Sequence, residues 1–123
     1  MCAAVIVLGC DHQPTLPPVP LLGFVVGTVT RPTGAPALAS VKSVAALDSC
    51  GTVAKNTLGG IPLTTDSLGR YVQLILAEPP VTEACVRIIA NDYLVPDDSV
   101  VSAVVHVPLR ARPDTVRVDL VLP

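Results

Sequence analysis

The 123-residue chain predicts an all-β protein, a single seven-stranded antiparallel β-sandwich. Three observations predict it. Half of the residues are apolar but only 2% are aromatic, the bulk being Val, Leu, Ala and Ile; a branched Cβ restricts χ1 and suits the pleated surface of a strand. Thirteen prolines are spread along the chain, and each removes a backbone donor and disfavours helix in the residue before it. Short period-2 segments recur between turn residues, with no sustained 3.6-residue apolar period. The length suits one hydrophobic core and not two.

The elements follow in order. Residues 1–9 contain the apolar run CAAVIVLG, shorter than the roughly 18–20 residues a spanning helix needs but the size of a signal-peptide apolar region. Residues 10–20, with DHQPTLPPVP, read as an extended Pro-rich tether. The sandwich is expected over residues 21–123. Its first strand is GFVVGTVT (23–30), closed by the turn RPTGAP. ASVKSVAALD (39–48) alternates Val41, Ser43, Ala45 and Leu47 against Lys42, Val44 and Ala46. CGTVAKNTLGG is an irregular connection. RYVQLIL (70–76) sets Val72, Leu74 and Leu76 on one face and Tyr71, Gln73 and Ile75 on the other. ACVRIIA (84–90) directs Arg87 outward and Val86, Ile88 and Ala90 inward. SVVSAVVHVPL (99–109) sets Val101, Ala103, Val105 and Val107 against Ser102, Val104 and His106. DTVRVDLVLP (114–123) alternates most cleanly, with Val116, Val118, Leu120 and Leu122 in and Arg117 and Asp119 out. Several strands are apolar on both sides, and Val25, Val29, Val44, Ile75, Val104 and Val121 are expected to form second faces that a partner or a second copy covers.

Charge and aromatic content narrow the function. Eight scattered Lys and Arg and a net charge of −2 give no basic field, and one Phe and two Tyr give no stacking platform. Nucleic-acid binding is thereby excluded as a reading, and carbohydrate recognition is disfavoured.

The hairpin TTDSLGRY carries a local mechanism. Asp66 is expected to accept hydrogen bonds from backbone N–H groups two or three residues on, Gly69 to take φ > 0, and Tyr71 to begin the strand. A turn that orients two strands is the leading reading, with a ligand site at Asp66 as the lesser alternative. Together with GFVVGTVTRPTGAPALASVKSVAA, this hairpin resembles the carboxypeptidase regulatory-like domain, a transthyretin-like seven-stranded β-sandwich common in bacterial envelope proteins. The resemblance covers roughly residues 23–90. It implies a non-catalytic accessory module, with no cofactor, that works attached to something larger.

Four cysteines remain: Cys2, Cys10, Cys50 and Cys85. None has C-x-x-C spacing, and His12 and His106 lie far from any ligand-like cluster, so no zinc site is expected. Cys50 follows a strand end and Cys85 opens a strand. In an exported protein they are expected to form a disulfide, the alternative being two buried thiols acting as small apolar side chains. The stretch VLGC resembles a bacterial lipobox, in which the peptide is cleaved before the cysteine and its sulfur takes a diacylglycerol. That resemblance implies removal of Cys2, lipidation of Cys10 and a membrane-anchored lipoprotein of the cell envelope. A signal peptide opens on basic residues, and the first basic residue here is Arg31; an N-terminal strand is the alternative.

Catalysis needs a nucleophile with its base, paired carboxylates or a metal, and the sequence offers none of them together. Hydroxyisourate hydrolases share the transthyretin-like sandwich, but their C-terminal Tyr-Arg-Gly-Ser signature is absent from VRVDLVLP. Asn91, Asp92, Asp97 and Asp98 form a weak cation candidate that lacks the spacing and central Gly of a calcium loop, so a solvated loop is preferred. The expected function is a non-enzymatic structural or protein-interaction module whose partner is another envelope protein or a second copy. A small-ligand or carbohydrate-binding module is the alternative.

Overall fold

In the computed structural model, residues 3–4, 7–8, 19–46 and 57–123 are described, with side chains at 19–46 and 60–123. Cys2, Cys10, His12, Leu47 and Cys50 lie outside them, as do the proposed cleavage point and most of the tether. Among the described residues all regular structure is strand. β1 (Ala3–Ala4) and β2 (Val7–Leu8) pair antiparallel in a two-stranded sheet of their own.

Ten further strands make two sheets: β3 (Leu21–Thr30), β4 (Ala39–Ala46), β5 (Thr57–Gly59), β6 (Leu63–Thr64), β7 (Arg70–Ala77), β8 (Glu83–Asp92), β9 (Ser99–Val101), β10 (Val105–Pro108), β11 (Thr115–Arg117) and β12 (Leu120–Val121). In the larger sheet β4 and β8 run antiparallel down the centre, from Ala39↔Asp92 to Ala46↔Cys85. β9 and β10 divide the outer edge of β8, and β5 and β6 divide that of β4. In the smaller sheet β3 is central. β7 lies antiparallel on one side of it, and β11 and β12 lie parallel on the other.

The core lies between the sheets and is built from the inward positions the alternation supplies. Val25 and Val29 of β3, Val41 and Ala45 of β4, Tyr71 and Ile75 of β7, and Val86, Ile88 and Ala90 of β8 are all buried, and Leu120 and Leu122 close it from the C-terminus. At roughly 25 cal/mol per Å² of apolar surface, each buried Val, Ile or Leu among them contributes about 1.5–3 kcal/mol.

The all-β expectation therefore holds in sandwich-like form, with four corrections. The sheets are not wholly antiparallel. After β10 the chain crosses to the smaller sheet through the paired Leu22 and Arg110 backbones (both bonds 2.8 Å). It arrives at the end where β3 begins, so it can only ascend beside β3 in the same direction. Second, the stretch 99–109 is not one strand. The Ser102 hydroxyl accepts the Ile88 N–H at 2.9 Å and donates to the Ala103 carbonyl at 2.7 Å, ending β9 and leaving Val101 and Ala103 on the surface. Third, Val25, Val29 and Ile75 form no second face: they are 0%, 0% and 2% exposed, inside the core.

The end strand also breaks, between β11 and β12. Here the Val118 carbonyl passes over Gly27, where an added Cβ would lie 1.7 Å from that oxygen. The Tyr71 hydroxyl donates to the same carbonyl, and the Thr28 N–H turns to the Asp119 carboxylate at 2.9 Å. Backbone polar groups are thus satisfied where the ladder is interrupted.

Candidate interaction face

β7 is amphipathic in an unexpected sense. Its inward set is Tyr71, Gln73, Ile75 and Ala77; its outward set is Arg70, Val72, Leu74 and Leu76. The more apolar set faces out, with Val72, Leu74 and Leu76 at 50%, 46% and 41% exposure.

Three anchors fix this choice of face. The first is the hairpin before the strand. Asp66 Oδ1 accepts the N–H groups of Leu68 (2.9 Å) and Arg70 (2.8 Å), while Oδ2 meets Arg70 Nε at 2.8 Å. Those bonds, the backbone N–H of Arg70 foremost, hold the Asp66 carboxyl below the usual carboxylate range. Gly69 takes φ +75°, which a Cβ would oppose, both by strain and by a 2.5 Å approach to the Val29 carbonyl. The second anchor is Tyr71, whose hydroxyl reaches Val118 from the buried side; burial, and then the Asp119 charge, push its pKa well above the ordinary value.

The third anchor is Gln73. Its amide is 2% exposed yet fully used: Nε2 donates to the Val41 carbonyl (3.0 Å) and the Ile61 carbonyl (3.3 Å), and Oε1 accepts the Ser43 hydroxyl (3.0 Å). A buried amide without partners would cost about 1–3 kcal/mol. With them it ties the smaller sheet to β4 and to the segment before β6.

The outward set of β7 does not stand alone. In register beside it, Leu22 opposes Leu76, Phe24 opposes Leu74 and Val26 opposes Val72, and these three β3 side chains are half-buried on the same side. The result is an apolar band across two strands, of the kind that marks interaction surfaces when it is contiguous. A depression of about 550 Å³ opens beside it, lined among others by Val26, Leu63, Thr64, Arg70, Val72 and Arg117. Its two cations are matched, Arg70 by Asp66 (2.8 Å) and Arg117 by Asp119 (3.0 Å), so it presents no unpaired positive charge to a ligand.

The other sequence-selected residues sit apart from this face. Asp92 is buried under the Arg31 guanidinium and accepts the N–H groups of Leu94 (2.9 Å) and Val95 (3.2 Å). Arg31 above all keeps its carboxyl below the usual range. It closes the turn after β8, as does Asn91, which donates to the Pro96 carbonyl at 3.0 Å. Asp97 and Asp98 are on the surface. Among the described residues no group of three or more His, Cys, Asp or Glu is placed to hold a metal ion. His106 is exposed, 3.4 Å from the Glu83 carboxylate. Val104 and Val121, expected on second faces, are 42% and 54% exposed. Val44 is half-buried on the outward side of β4.

Alternation alone did not say which face of β7 turns out, but a signal was present. Arg70 and Glu78 belong to the same period-2 set as Val72, Leu74 and Leu76, and charged ends assign that set to solvent.

No family model, no curated protein and no solved structure matches the chain.

Proposed function

We propose that this chain is a non-catalytic protein-interaction module, a transthyretin-like sandwich of the carboxypeptidase regulatory-like kind, held at a bacterial envelope membrane through a lipid on Cys10. The observation that carries the interaction reading is the outward band of Leu22, Phe24, Val26, Val72, Leu74 and Leu76. Two ordered strands hold it in a fixed arrangement, so a partner meets a preorganised surface. A photo-crosslinking side chain at position 74, in the protein expressed in a bacterial envelope, is expected to give a discrete adduct, and one at Lys42 on the opposite sheet is not. Equal labelling at both positions, or none at 74, overturns the reading.

The Cys50–Cys85 disulfide belongs to the same proposal. It is supported by register: Ala46, four positions before Cys50, is the partner of Cys85. Four residues span at most about 14 Å, which keeps Cys50 within reach. Cys85 shares the outward parity of Arg87 yet is only 6% exposed. Thiol labelling that rises on reduction is the expected result. Cleavage before Cys10 and an acyl adduct are expected in the intact mass of the membrane-extracted protein.

A further inference from the structure

We propose that β7 is a self-pairing edge, and that a second copy of this chain joins it antiparallel through β7 about a two-fold axis at Leu74, setting the two outward bands side by side. The proposal rests on the interaction reading above and names its partner. Antiparallel strands alternate the direction of their backbone groups. The even residues of β3 address the far side, Leu22 to Arg110 and Phe24 to Asp114, and Gly69 gives its carbonyl to Val29. The odd residues of β7 therefore bond to β3, and the N–H and C=O groups of Val72, Leu74 and Leu76 point to the open edge. Among the described residues they have no backbone partner there. An edge of this kind is a template for another strand.

The side chains select which strand. The outward set of β7 reads Arg70, Val72, Leu74, Leu76, and exposed Glu78 follows one residue past the strand end on the same parity: positive, three apolar, negative. A two-fold axis at Leu74 sets Arg70 opposite the partner's Glu78, Val72 opposite the partner's Leu76, and Leu74 opposite the partner's Leu74. Every pair is complementary; the Arg70–Glu78 and Val72–Leu76 pairs each occur twice and the Leu74 pair once, on the axis, as an isologous interface requires. The set also keeps hydrogen-bonding parity, because even residues meet even residues. The two apolar bands then join into one continuous sheet surface. Ile61 and Leu63, 78% and 51% exposed, border the same edge.

Sedimentation velocity on the full chain over a range of concentrations is expected to show a monomer–dimer equilibrium. Leu74→Lys places like charges on the axis and is expected to leave a monomer with unchanged circular dichroism. Arg70→Glu and Glu78→Arg are each expected to weaken the dimer roughly tenfold, and the double exchange to restore it, which a folding defect in either single variant would not do. A chain that stays monomeric, a dimer indifferent to Leu74→Lys, or a double exchange that fails to restore overturns the proposal. A monomeric chain that still forms an adduct to another protein at position 74 leaves the interaction reading standing and removes only the second copy.

Discussion

β7 and β8 both carry apolar residues on both faces, and the fold treats them oppositely. β8 is flanked on both edges, by β4 and by β9 with β10, and its inward Val86, Ile88 and Ala90 are completely buried. Among the described residues β7 pairs only with β3. It turns its amide into the core and its leucines to the surface. Apolar residues on both faces thus make a central beam in one place and an exposed strand in the other. What separates them is neighbours, not hydrophobicity: a strand's backbone and outward side chains are neutralised only by the strands beside it.

The sharpest way to break this contrast is to truncate one apolar side chain in each strand. Ile88→Ala removes a fully buried side chain and is expected to cost about 3 kcal/mol, through lost transfer energy plus a cavity. Leu74→Ala in dilute protein is expected to cost less than about 1 kcal/mol, because the side chain is already half in water. Denaturant unfolding of both measures the difference, and equal losses would place Leu74 in the core. A smaller effect is expected from Gln73→Leu, about 2 kcal/mol, since the Ser43 hydroxyl and the Val41 and Ile61 carbonyls lose their partner inside the protein. Adding Ser43→Ala is expected to recover part of it; a stabilised single variant would show that the amide does not set the orientation of β7.

The smallest effects lie in pH. Asp66, Asp92 and Asp119 are each held below the usual carboxylate value, chiefly by hydrogen bonds from Arg70, Arg31 and Arg117 respectively. The folded state therefore favours their ionised forms. Their contribution is present above the unfolded value near pH 4 and is lost as pH falls from there through the lowered folded values. Tyr71 has the opposite sign. Its raised folded pKa keeps stability intact below about pH 10 and removes it as pH rises beyond, when the unfolded chain ionises first. Thermal midpoints are expected to be flat between about pH 5 and 9. Asp92→Asn is expected to flatten the acid limb and Tyr71→Phe the alkaline one; unchanged limbs would show that these groups titrate alike in both states.

Much of the framework was legible before the structure. The inward sets of β4 and β8, and Leu120 and Leu122 at the end of the chain, follow from period-2 alternation, because consecutive side chains of a strand point to opposite faces. The turn at Asp66 and Gly69 follows from residue chemistry that acts over four positions. The band on β7 is legible only in part: alternation groups its members, while apolar character alone assigns Ile75, with Val25 and Val29, to an outer face that the structure buries. Periodicity fixes which residues share a face and leaves open which face is buried, and Gln73 can turn inward only because Ser43, Val41 and Ile61 wait for it from other strands.

The sequence by itself therefore determined the strand class, the pairing of residues into faces and the close turns, all of which depend on neighbours within a few positions. Tertiary structure decided the parallel ascent of β11 and β12, the burial of Gln73, the Arg31–Asp92 pair and the outward turn of Val72, Leu74 and Leu76. Each of these depends on what lies across the sheet or between the sheets. Such contacts join residues far apart in the chain, Gln73 with Val41 and Tyr71 with Val118, and no local pattern records them.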